Sequence, residues 1–279
     1  WMDSESLAHQ KVRETLKNSG MGSSSIDLFF NEIFKFFSKS SLEKRWQFAI
    51  GSKNVSPVGF VLHVGATNTL VAGLDGLMDG LLAGNVNFYK LPALDGGVPG
   101  IFIESIFEAD VEKVLVNRLA AFYWKGGDKE LEPLFKTSMD RIIVWGGIDA
   151  IMSWKNNLGY SAQLISHGPK YGFGVLTAAG LAEGNLESIC KKIVLDASYW
   201  DQKACNSLQT LFIEDKIKGE QFNQLLECLQ KTIEETYIDA PPVRSSNDYV
   251  DVLNAREFIK AESLTSGGVK LFCPKENTW

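Results

Sequence analysis

The chain has 279 residues, 45% hydrophobic and 22% charged, with a net charge of −6 and a pI near 5.3. That length suits one large domain or two ordinary ones, and the composition is that of a globular protein. The acidic balance argues against a nucleic-acid or anionic-membrane partner, because phosphate binding needs a basic field.

Residues 1–55 read as a helical segment. Leu7, Val12 and Leu16, then Ile26, Phe29, Phe30, Ile33, Phe34 and Phe37, recur at helical spacing. Ser23, Ser24 and Ser25 look like an N-cap cluster, and the aromatic stripe reads as core-facing. After a break at Gly51 to Pro57, the run Gly59-Phe60-Val61-Leu62-His63-Val64 reads as a buried parallel strand. Gly65-Ala66-Thr67-Asn68 is a small-residue turn. A helix is expected from Thr69, with Leu70, Leu74, Leu77, Met78, Leu81 and Leu82 on one face and a stop at Gly84. Asn87-Phe88-Tyr89-Lys90 gives a second strand before Pro92, which completes a βαβ unit.

Residues 101–107 are mixed, and 111–122 are expected to contain a helix, followed by Tyr123-Trp124-Lys125. Arg141–Trp145 reads as a strand, followed by Gly146-Gly147 and a helix near Ile148. Residues 164–170 are a strand end and turn, and Gly174-Val175-Leu176 is a further strand. A helix over 185–199 places Ile189, Ile193 and Ala197 on one side. Leu211-Phe212-Ile213 is a strand and 217–237 a long helix. Beyond the break at Ala240-Pro241-Pro242, a helix over 247–262 and a strand near 268–272 are expected. Strands alternating with helices make this an α/β chain with a mainly parallel sheet.

Cys190, Cys205, Cys228 and Cys273 include no CxxC pair, and His9, His63 and His167 stand apart, so no metal-ligand spacing appears. Reduced thiols in a cytoplasmic protein are expected. Apolar runs break well before the about 18 residues of a membrane span, and the start of the chain has no signal-peptide h-region. Ligands of open parallel sheets bind beyond the carboxyl ends of the strands. Three turns fall there, at 65–68, 146–147 and 166–170, and none is a GxGxxG or Walker loop. Gly146-Gly147 is either a plain tight turn or an approach for a pyrophosphate. By its own chemistry, Cys205 is either a small buried hydrophobe or a nucleophile. Asn68 is placed to cap the following helix. His63 reads as a strand residue satisfied by a backbone partner, and Cys190 and Cys228 as packing.

Taken together, five segments stand in a distinctive order: His63-Val64-Gly65-Ala66-Thr67-Asn68, Leu82-Ala83-Gly84-Asn85, Val144-Trp145-Gly146-Gly147, His167-Gly168-Pro169-Lys170-Tyr171, and Asp201-Gln202-Lys203-Ala204-Cys205-Asn206-Ser207-Leu208-Gln209. Across roughly residues 56–215 this order resembles the aldehyde dehydrogenase superfamily, and most closely its acyl-CoA reductase branch, the LuxC family of bacterial fatty-acid reductases. The resemblance implies an aldehyde-dehydrogenase-like α/β fold. Its parts would be an N-terminal helical segment (1–55), a Rossmann-type cofactor-binding lobe (56–175) and a catalytic lobe with the nucleophile (176–279, C-terminally incomplete). It further implies that Cys205 attacks a thioester carbonyl, and that the Asn68 amide and the Cys205 N–H hold the oxyanion. Lys90 would contact the cofactor ribose, Gly146 and Gly147 the pyrophosphate, and Ala66 and Thr67 would lie in a cofactor-facing turn.

Two departures sharpen the expectation. Aldehyde-oxidising members carry a hydrolytic Glu where Ser166 stands here, which favours reduction of the thioester; His167, one residue on, keeps oxidation open as the alternative. The NAD-selecting acid is replaced by Ala93, which favours NADPH, with NAD also accommodated and Asp95 nearby. The expected substrate is an acyl-CoA or acyl-protein thioester, with an acyl-transfer partner enzyme and a homo-oligomeric assembly. The third reading is an inactive or scaffold-like partner in a multi-enzyme complex.

Overall fold

The structure is a computed structural model that describes residues 3–19, 21–51, 53–66, 71–92, 97–198, 204–237, 261–266 and 269–274. Two compact units emerge: Trp1–Ser19 with Asp27–Pro169, and Gly20–Ile26 with Lys170–Trp279.

The chain opens with three helices, α1 (Leu7–Asn18), α2 (Ser23–Phe37) and α3 (Lys39–Ala49). Ser6 caps α1 by accepting the His9 N–H, and Ser38 caps α3 by accepting the Ser41 N–H. Ser23 to Ser25 lie inside the first turn of α2 and do not precede it, so they are not the expected cap. Val12 and Leu16 of α1 and Phe29 and Phe30 of α2 are buried.

The first unit is built on five parallel strands: β1 (Phe60–Val64), β2 (Val86–Leu91), β3 (Leu119–Tyr123), β4 (Arg141–Trp145) and β5 (Gln163–His167). Their order is β3-β2-β1-β4-β5. The connecting helices are α4 (Leu74–Leu82), α5 (Val98–Ala109), α6 (Leu131–Ser138) and α7 (Ile148–Lys155). Side-chain alternation splits the strands between two cores. Tyr89 and Leu119 pack with Leu74 and Leu77 of α4 and Phe102 and Ile103 of α5. Leu62, Val64, Ile142 and Val144 pack with Trp124, Met139 and Trp154. Helices therefore cover both faces, which explains the unbroken apolar runs of a doubly wound sheet.

Gly84, at φ +79°, takes the left-handed conformation just past α4 and ends it where the sequence placed the stop. Between β2 and β3 the outcome differs from the expectation. The mixed stretch 101–107 is helical, within α5, and the helix expected in 111–122 is replaced by turns and β3. Gly97 at φ +97° and Pro99 in the first turn start α5, a role proline fills because first-turn N–H groups lack helical partners. Asp110 accepts the Val114 N–H at 2.9 Å and the Leu115 N–H at 2.6 Å, which ties the next segment into turns.

The second unit pairs β6 (Gly172–Leu176) with β7 (Leu208–Ile213) in parallel. Helices α8 (Ala178–Glu183), α9 (Leu186–Ser198) and α10 (Glu220–Tyr237) pack here, with Leu181, Cys190, Val194, Leu225, Leu229 and Ile233 in the core. The chain closes with an antiparallel pair, β8 (Ala261–Ser266) and β9 (Val269–Pro274). Residues 261 and 262, expected to end a helix, are strand; the rest of that expected helix lies outside the described residues.

Candidate active site

Within the first unit the strand order reverses between β1 and β4, because the chain runs from β1 outward to β2 and β3, then returns to β4 on the other side. Such a switch point leaves a crevice beyond the carboxyl ends of the two strands. Register fixes what lies along that edge. Lys90 pairs with Val64, Val64 with Val144, and Val144 with Ser166, so the four stand on one row across the sheet. One step further, Trp145 pairs with His167. Gly65 donates its N–H to the Lys90 carbonyl at 3.1 Å, and buried Ala66 follows it. A side chain at Gly65 would meet the Tyr89 hydroxyl at 2.7 Å, so any larger residue would have to displace it.

The edge thus brings together Ala66, Lys90, Gly146, Gly147, Ser166 and His167. Thr67 and Asn68 lie outside the described residues, as do Ala93, Asp95 and 201–203. Gly147 is the N-cap of α7 and supplies no side-chain cap. Nothing lies within 4 Å of where its Cβ would stand, so the backbone at the start of α7 is open on that side, and the first-turn N–H groups of a helix lack helical acceptors and suit an anionic oxygen. The His167 ring stacks on Trp145, with centroids 3.9 Å apart and planes 10° from parallel.

Lys90 is buried, and its ammonium lies 5.2 Å from the centre of the Trp124 ring. Burial pushes its pKa below the ordinary lysine value, and the Glu132 carboxylate opposes that shift. His63, one strand over, is fully buried; its Nε2 is 3.0 Å from Asn87 Oδ1. Its partner is thus a side chain and not the expected backbone group. Sequence reasoning did not single out Trp124, Glu132 or the Trp145 stacking partner of His167.

In the second unit, Cys205 sits in the turn between α9 and β7. Ala204 and Ser207 are buried and anchor the turn, and the Ser207 N–H closes it on the Ala204 carbonyl at 3.1 Å. Cys205 between them is exposed and free. A groove of about 250 Å³ runs beside it, lined by Phe173, Val175, Ile193 and Leu208, with Asn206, the next residue after the thiol, among its walls. Cys190 is fully buried, and desolvation with the neighbouring Cys228 thiol pushes its pKa up to about 12. Of these three thiols, Cys205 is exposed, Cys228 half-buried and Cys190 buried, so Cys205 is the one best presented as a nucleophile.

The fold is that of the aldehyde dehydrogenases. An aldehyde dehydrogenase from Bartonella henselae superposes with a TM-score of 0.67 at 15% identity, over 94% of this chain and 58% of that one. An NADP-dependent glyceraldehyde-3-phosphate dehydrogenase from Bacillus halodurans, solved with NADP, gives 0.57 at 18% identity, over 76% and 44%. The chain belongs to the acyl-CoA reductase (LuxC) family, whose model matches residues 32–279. Among curated relatives, the long-chain acyl-protein thioester reductase of Vibrio harveyi is 24% identical over 233 residues, which cover 80% of this chain and 44% of the relative. The chain therefore spans about half the length of the curated relatives it matches. Among the described residues, no helix is long and apolar enough to cross a membrane.

Proposed function

We propose that this chain carries the acyl-accepting and cofactor-holding parts of a reductase that converts a fatty acyl thioester, on coenzyme A or on a protein, to the aldehyde with NADPH. One observation carries the reading: Cys205 stands exposed in a turn held by buried neighbours, in a chain of a family whose curated relatives are named for thioester reduction. The Cys205 sulfur attacks the thioester carbonyl carbon, the bond to the donor sulfur breaks, and the donor thiol leaves with the proton Cys205 gave up. Asn68 and the Cys205 N–H stabilise the oxyanion. NADPH, when bound, supplies a hydride. The thiohemiacetal then on Cys205 loses its hydroxyl proton as its carbon–sulfur bond breaks, which frees the aldehyde and the thiol. Thioester, NADPH and one proton are consumed; aldehyde, donor thiol and NADP are formed.

Several features support the cofactor part. The Lys90 ammonium makes no hydrogen bond or ion pair among the described residues, so its three donors are unspent. Gly147 leaves the start of α7 open. Ala66 stands at this edge, Thr67 after it is proposed to face the cofactor, and Ala93 in place of an acid removes a repulsion against a 2′-phosphate. Ser166 cannot serve as the carboxylate base for water, which favours reduction as the exit for the acyl group.

Incubation with a mass-tagged acyl-CoA tests the reading. The wild type is expected to gain one acyl group on Cys205 and to release aldehyde when NADPH is added; full NADPH turnover by C205A overturns the mechanism. The stack that orients His167 beside Ser166 favours a second reading, an oxidising aldehyde dehydrogenase with His167 as base. Steady aldehyde-dependent NADPH production without coenzyme A would establish it. Absence of NADPH and NADP affinity would instead support a non-catalytic partner in a multi-enzyme complex.

A further inference from the structure

Two buried lysines of the first unit are satisfied in different ways. Lys136 lies 5.5 Å from the Trp154 ring centre and donates to the Ser153 carbonyl at 2.7 Å, near the carboxyl end of α7. Its charge is spent on the fold. Lys90 has the same low exposure, 6% against 7% for Lys136, and its own tryptophan, but no acceptor among the described residues. Its Nζ is not among the side-chain atoms sealed from solvent without a partner, so the ammonium is presented with its donors free for a ligand.

The surroundings of Lys90 are built firmly. Trp124 follows directly on β3, whose Phe122 is the register partner of Lys90. The indole is 5% exposed and stacks on Phe135 at 4.9 Å and 16°. Its Nε1 has no hydrogen-bond partner, so packing alone sets the ring, and the contact it offers Lys90 is its face. Glu132 on α6 is 4% exposed and is fixed by the Gly127 N–H, donated to Oε1 at 2.8 Å.

We propose that Trp124 and Glu132 are positioning residues for Lys90: the indole face holds the ammonium in place and the Glu132 carboxylate sustains its charge, so that Lys90 meets the ribose oxygens of a nicotinamide dinucleotide as a charged donor. The assignment rests on the cofactor reading above. Burial drives the Lys90 pKa down and Glu132 drives it back up. Among the described residues, Glu132 is the charged group acting on Lys90; Trp124, and the strand neighbours Val64 and Phe122, are uncharged. Removing the carboxylate charge therefore discharges Lys90 at a lower pH.

Two measurements on the same variants test this. Without ligand, the rate at which an amine reagent modifies Lys90 is followed by mass spectrometry from pH 7.5 to 10.5. Calorimetry gives NADPH affinity over the same range. In E132Q, whose amide oxygen still accepts the Gly127 N–H, Lys90 is expected to titrate at lower pH. Its NADPH affinity falls correspondingly earlier, by about tenfold above the pKa for each unit the pKa drops. W124F keeps a ring face and most of the affinity; W124L loses about 2- to 30-fold, the range of a cation–π contact. K90M gives the floor, without the pH dependence. If W124L fails to fold, E132Q and W124F still decide. E132Q profiles that superimpose on the wild type overturn the proposal. So does a wild type with no NADPH affinity at any pH, which sinks the cofactor reading even where the ligand-free titration shifts.

Discussion

Replacing Gly172 by alanine is expected to disable Cys205 from a distance. Gly172 opens β6 and lies against the turn that carries the thiol. A Cβ there would stand 2.2 Å from the Ser207 carbonyl oxygen, 2.9 Å from its carbonyl carbon and 3.3 Å from the Asn206 carbonyl oxygen. These are backbone atoms, so no rotamer change relieves the overlap. Reaching the 3.4 Å of ordinary contact moves the Ser207 carbonyl by more than 1 Å. Overpacking of this kind costs about 1–3 kcal/mol, and a displacement of about 1 Å at a reacting group costs about 100-fold in rate. The expected result is acyl transfer from acyl-CoA to Cys205, read by intact mass, slowed about 100-fold, with the melting temperature lower by several degrees. Alkylation of Cys205 by iodoacetamide, which needs no aligned oxyanion site, should change far less. G174A is the control. Its Cβ would meet only Leu208 Cδ1 at 3.1 Å and Leu211 Cδ1 at 3.3 Å, and those methyl groups can turn aside. A G172A protein that acylates at the wild-type rate, or a G174A protein equally impaired, refutes the reasoning.

Other consequences are as direct. At pH 8 alkylation should reach Cys205 first and leave Cys190 unmodified until the protein unfolds, because Cys190 is buried with a pKa of about 12; peptide mass mapping checks the order. Burial holds the His63 pKa below 6.5, so the folded chain binds fewer protons there than the unfolded chain. Stability from this site is complete above the unfolded value and is lost as pH falls through it, by about 1.4 kcal/mol for each unit the folded value is lowered. H63Q should flatten the acid side of a melting-temperature profile between pH 7 and 5; an unchanged slope removes His63 as its source. N85A deprives the Val58 and Gly59 N–H groups of their shared acceptor, now at 2.7 and 3.3 Å, and should cost about 1–3 kcal/mol in a urea titration.

That last residue shows what a motif in sequence does and does not say. Asn85 helped mark the family, but its side chain ties the entry to β1 to the exit of α4 and touches nothing at the ligand edge of the sheet. The strands were legible because parallel strands covered on both faces are rich in apolar and β-branched residues, as Val61, Leu62 and Val64 of β1 and Ile142, Ile143 and Val144 of β4 are. Helix α5 was not, because Gly97, Pro99 and Gly100 carry the residue types of a break. Val111, Val114 and Val116 suggested a helix, yet all three are exposed, and Asp110 bonds the chain into turns. Among candidate site residues, Lys90, His167 and Cys205 stood next to recognisable turns. Glu132 was hidden in a charged stretch with Asp128, Lys129 and Glu130 that reads as solvated surface, and only its bond to the Gly127 N–H takes it inside.

The register of the five-stranded sheet also acts as a ruler. Lys90 and Ser166 stand on one row with β1 and β4 between them, three strand spacings apart. At about 4.8 Å per spacing that separation is about 14 Å. A molecule with one end at Lys90 and the other beside Ser166 and His167 must reach that far along the edge. A dinucleotide laid across the strands has that reach. On the proposed cofactor reading, the length of ligand this edge would take is set by how many strands separate its two ends, before any side chain is consulted.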